Sequence, residues 1–68
     1  MNHNLPVMIK LTHLQSGRPT FIKMNDITCV RLNKEGKTLV LQGDTGQYVE
    51  ESLEEVLGIL EESGFGFV

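Results

Sequence analysis

Gly46-Gln47-Tyr48-Val49-Glu50-Glu51-Ser52-Leu53-Glu54-Glu55-Val56-Leu57-Gly58-Ile59-Leu60 is a stretch in which an extended run passes directly into an amphipathic helix. Tyr48 and Val49 favour extended backbone. Ser52, with Glu55 three residues later, forms the capping-box pattern that starts a helix. Leu53, Val56, Leu57 and Leu60 then recur at i, i+3, i+4 and i+7, which makes one apolar stripe. Glu54, Glu55, Glu61 and Glu62 occupy the remaining surface. The pattern predicts a helix over 53–62, with Gly64 as its stop. Gly58 inside it costs about 1 kcal/mol relative to alanine. A close approach to a sheet, or to another chain, would account for its presence.

Working outward, the preceding residues read as strands and turns. Val7, Ile9 and Leu11 alternate with Lys10 and Thr12 in a first strand from Val7 to Leu14. Residues 15–19 are a turn by composition, and Thr20 to Met24 is β-branched and aromatic. Ile27 to Leu32 is a third extended run. Asn33 to Lys37 is a hairpin loop, with Gly36 placed for positive φ. Thr38 to Gln42 is a fourth strand, residues 43–46 a tight turn, and Gln47 to Glu50 a fifth strand. The chain is therefore expected to be an α+β domain, a small antiparallel β-meander of four to five strands with one carboxy-terminal helix. It is expected to span residues 7–68 behind a flexible leader, residues 1–6.

Sixty-eight residues make one domain,. A core of that size supplies only about 3–5 kcal/mol, so such chains usually add disulfides, a metal or self-association. Cys29 is the single cysteine, which excludes an internal disulfide, and no Cys/His cluster has metal-ligand spacing,. Association with itself or with a larger protein is the remaining route. The charge is split. All six basic residues precede residue 38, together with Asp26 and Glu35, giving +4; the seven acids from Asp44 onward, with no Lys or Arg, give −7. Such asymmetry can steer head-to-tail or basic-partner association. An ordinary solvated helix face is the alternative reading, because exposed charge pairs are weak. No run approaches the roughly 18 apolar residues of a membrane span, and the unpaired cysteine fits a reducing compartment, so the cytoplasm is the expected location.

No residue set announces a reaction, a metal or a cofactor. Asp44-Thr45-Gly46 matches the short signature of aspartic proteases, whose paired carboxylates share a proton. Three residues are a weak signal, the segment is equally good as a turn, and the chain is short for a substrate cleft. His13 ends a strand, His3 stands in the leader, and metal binding would need further ligands. Cys29 alternates with Ile27 and reads as a small buried hydrophobe. Lys10, Arg18, Lys23 and Arg31 are candidate contacts to a small anionic ligand. They are scattered over strands and turns with Phe21 as their one aromatic neighbour, and an acidic chain argues against nucleic acid. The terminal Phe65-Gly66-Phe67-Val68 is apolar. Either it folds back on its own core, or Phe65, Phe67 and Val68, with Gly58, contact another chain.

With these elements placed, a likeness can be stated. Met8-Ile9-Lys10-Leu11-Thr12-His13-Leu14, Ser16-Gly17, Phe21-Ile22 and Asn25-Asp26-Ile27 resemble the small FlbD-type flagellar and swarming-motility proteins. The resemblance continues through Thr38-Leu39-Val40-Leu41, Gly46, Tyr48-Val49, Glu51-Ser52 and Glu55-Val56, over residues 8–60. The Pro6 leader, Arg18-Pro19 and the Phe65–Val68 tail depart from the pattern. The resemblance implies a cytoplasmic, non-enzymatic accessory protein that binds another protein, and it transfers no catalytic residue. The alternative expectation is a phage- or mobile-element-encoded inhibitor that sequesters a host protein or a small anionic nucleotide-type signal.

Overall fold

Alternation sets the first hairpin. In the computed structural model, which describes residues 7–68, β1 (Met8–Thr12) pairs antiparallel with β2 (Pro19–Lys23), Ile9 opposite Ile22 and Leu11 opposite Thr20. The expected leader, residues 1–6, and His3 within it lie outside the described residues. Side chains on a strand alternate between faces, so Ile9, Leu11 and Ile22 are buried while Met8, Lys10, Phe21 and Lys23 stand on the outer face,. Val7, expected to continue the apolar face, precedes the strand and is exposed. The connecting turn is held by backbone bonds from the His13 amide to the Arg18 carbonyl (2.8 Å) and from the Gly17 amide to the His13 carbonyl (2.9 Å). Gly17 there has φ +71°.

The second strand ends one residue earlier than its composition suggests. Met24–Asp26 is a 3-10 turn that drives Met24 into the core, and the Ile27 amide closes it on the Met24 carbonyl at 3.2 Å. The third run accordingly begins at Cys29 rather than Ile27. β3 (Cys29–Leu32), β4 (Thr38–Gln42) and β5 (Thr45–Val49) form an antiparallel three-stranded sheet in that order. Asn33 Oδ1 accepts from the amides of Glu35 and Lys37 in the β3–β4 loop, and Gly36 has φ +82°. Between β4 and β5 the loop is only Gly43-Asp44, since Gln42 pairs with Thr45. Gly43 has φ +62°, as a two-residue hairpin with glycine first requires,. Gly46, expected in the turn, is instead within β5. A Cβ there would lie 2.5 Å from Leu41 Cδ2, so glycine lets the Leu41 side chain lie over the paired strand and a larger residue would displace it.

The two sheets meet end to end. His13 bridges Val49, the Leu14 amide donates to the Tyr48 carbonyl (2.9 Å), and the Glu50 amide donates to the Thr12 carbonyl (2.8 Å). The resulting strand sequence is β2-β1-β5-β4-β3. Helix α1 (Leu53–Glu62) touches both β1 and β3. Val56 and Leu60 thereby join Ile9, Leu11, Ile22, Met24, Val40 and Val49 in one core, with Ile27, Val30, Ile59 and Phe65 packed at its rim. No helix among the described residues is long and apolar enough to cross a membrane.

The helix start is fixed twice. Ser52 Oγ accepts from the Glu55 amide (3.0 Å) and Glu55 Oε1 accepts from the Ser52 amide (2.9 Å), which completes the expected capping box,. Immediately before it, the Glu51 carboxylate accepts from the Thr12 amide and the Thr12 hydroxyl, each at 2.9 Å. Burial alone would push the Glu51 carboxyl up. The hydrogen bonds from Thr12 and from its own amide outweigh that and hold it below its usual value,.

Glu51→Gln is expected to lower stability by about 1 kcal/mol at neutral pH, at the low end for bonds to a charged group because the site is partly exposed. A carboxyl depressed in the folded state contributes its full stability above the unfolded pKa of about 4.3 and loses it as pH falls through the folded value. Thermal melts should therefore separate the two proteins at neutral pH and converge in acid. A gap that is independent of pH would contradict this role.

Candidate interaction surfaces

The end of the helix builds the first surface. Ser63 caps it, the Gly64 amide donates to the Glu61 carbonyl (3.1 Å), and the Phe65 amide donates to the Leu60 carbonyl (3.0 Å). That pair of bonds, with φ +114° at Gly64, is a Schellman motif,. It turns the chain back so that Phe65 packs beside Leu60 at the rim of the core. Phe67 remains 52% exposed, and Val68 is fully exposed. Thus the apolar tail divides: Phe65 folds home, while Phe67 and Val68 face outward.

Between this turned-back tail and β3 runs an apolar groove of about 360 Å³. Ile27, Cys29 and Val30 line one side, and Leu57, Leu60, Phe65 and Phe67 the other. β3 is the last strand of its sheet, and among the described residues no strand pairs its outer edge. Cys29 is a free thiol, half-buried on the groove wall rather than in the core. In strand order, β4 and β5 stand between it and the β1 end that carries His13.

The candidate anionic-ligand residues separate into groups. Lys10 and Lys23 share the outer face of the β1–β2 hairpin. Arg18 lies in the turn at its far end, and Arg31 lies on β3 opposite Leu39. None of the four lines the apolar groove. Lys10 is paired directly across the ladder with Phe21, and Met8 with Lys23. Phe21 is 59% and Met8 53% exposed, so the face mixes two ammonium groups with an aromatic and a thioether side chain. The grouping follows from the strand register, which sets even positions on β1 and odd positions on β2 on the same face,.

On α1, Glu54, Gly58 and Glu61 follow at i, i+4 and i+7, on the side opposite buried Val56 and Leu60, with Glu62 beside them,. The close approach expected at Gly58 is not present among the described residues: a Cβ there would meet nothing within 4 Å. His13 Nδ1 lies 3.0 Å from Ser16 Oγ and accepts from the Ser16 amide at 3.3 Å, so the imidazole staples its own turn. Asp44 stands on the exposed tip of the β4–β5 hairpin, while Thr45 and Gly46 belong to the strand. Among the described residues no three His, Cys, Asp or Glu side chains gather as metal ligands.

Compared with known proteins, the chain matches no family model, no curated protein and no solved structure.

The divided tail has a measurable consequence. Phe65→Ala should lower stability by about 1–2 kcal/mol, less than truncation of a fully buried phenylalanine. Removing Phe67 and Val68 should change it by under about 0.5 kcal/mol, as for surface positions generally. Urea unfolding of the two variants checks this, and equal losses would contradict the assignment.

Proposed function

We propose that this chain is a small non-catalytic interaction module that self-associates and binds another protein in the cytoplasm, as an accessory protein of the FlbD-like kind. The observation that carries the reading is the apolar groove beside the unpaired outer edge of β3. An extended apolar segment laid there would add a strand to the sheet and bury its side chains against Leu57 and Phe65, the mode known as β-augmentation,. Exposed Phe67 and Val68 extend the same surface, and the sequence resemblance over residues 8–60 supports an accessory rather than an enzymatic role. Small size adds to it, because a 68-residue chain without a disulfide gains stability from association,.

The alternative of an anion-sequestering protein lacks a comparable observation, since Arg18 and Arg31 stand apart from Lys10 and Lys23.

Sedimentation velocity over a concentration series tests the proposal. Species heavier than the 7.6 kDa monomer are expected as the concentration rises. A monomer at every concentration would contradict it.

A further inference from the structure

The outer face of the β1–β2 hairpin and the outer face of α1 are complementary in charge and in shape. On the hairpin, Phe21 projects with Lys10 directly across the ladder and Lys23 two residues along its own strand. The two lysines are diagonal neighbours, about 7–8 Å apart at Cβ. On the helix, Gly58 leaves a bare patch of backbone between Glu54 and Glu61, which are about 10 Å apart along the axis,. Long lysine side chains span that difference. Among the described residues nothing requires glycine at position 58, and glycine weakens the helix,.

We propose that the hairpin face of one copy docks on the helix of the next, with Phe21 seated over Gly58 and Lys10 and Lys23 against Glu54 and Glu61. It rests on the reading of the chain as self-associating and names the two faces involved. The aromatic side chain is the anchor, since exposed ion pairs add little alone. The charges set orientation and exclude hairpin-to-hairpin and helix-to-helix pairing. Because the two faces are different, each copy keeps one free of each kind, so the contact is heterologous and builds rings or open chains.

Charge exchange tests it. Two full-length variants, Lys10→Glu/Lys23→Glu and Glu54→Lys/Glu61→Lys, alter exposed side chains only, and circular dichroism verifies their fold. By sedimentation each alone should be monomeric, whereas an equimolar mixture should recover the wild-type assembly, because each hairpin then finds a helix of opposite charge, one pairing reversed and the other as in wild type. Wild-type assembly should also weaken at about 1 M salt, where the Debye length is about 3 Å. Gly58→Ala should move two readouts in opposite directions, raising the melting temperature while weakening association. Either charge variant assembling like wild type, a mixture that stays monomeric, or a Gly58→Ala protein that associates undiminished would overturn the proposal while leaving the protein-binding groove untouched. A wild-type protein that is monomeric throughout would overturn it together with the self-association reading.

Discussion

The Glu51 carboxylate on Thr12 is the interaction on which the rest of this structure depends. Thr12 is the last residue of β1 and Glu51 the penultimate residue before the helix, so two hydrogen bonds join segments 39 residues apart. They come directly beside the backbone bond from Glu50 to the Thr12 carbonyl, and they hold the entry of α1 against the β1–β5 seam. With its start fixed there, the helix packs against β1 and β3 and buries Val56 and Leu60. The groove at the opposite end then follows from where a ten-residue helix stops relative to β3. A carboxylate suits the task because it accepts from an amide and a hydroxyl together, and charge strengthens both bonds.

Local chemistry made much of the fold legible in the sequence. Ser52 and Glu55 announce the helix start, Gly64 its end, and the alternation of Ile9 and Leu11 the buried face of the first strand. These are signals in which neighbouring residues act on one another. The residues that were misplaced depend on partners distant in the chain. Gly46 looked like a turn residue because composition cannot reveal that Leu41 lies across it on the next strand. Met24 looked like the end of a strand, yet a 3-10 turn brings it to the core that the helix completes. Glu51 read as one more acid in an acidic segment, and its partner lies in another sheet.

The surfaces show the same division. Gly58 and the terminal phenylalanines stood out in the sequence because each is unusual for its local setting. What separated Phe65 from Phe67 was the Schellman turn, which commits the first to the core and leaves the second outside. Four basic residues formed a list in the sequence, and only the strand register placed two of them around Phe21. In a chain with so small an interior, most of the apolar side chains that the core cannot take are arranged on its rim and outer faces.

A double-mutant cycle between Thr12→Val and Glu51→Gln tests the central claim most directly. Thr12→Val removes the hydroxyl and keeps the strand, so the cycle isolates the hydroxyl–carboxylate bond of the pair,. The two changes should be coupled at neutral pH by about 0.5–1 kcal/mol in unfolding free energy, and the coupling should vanish in acid. Losses that simply add at neutral pH would contradict an energetic link between the Thr12 side chain and the Glu51 carboxylate.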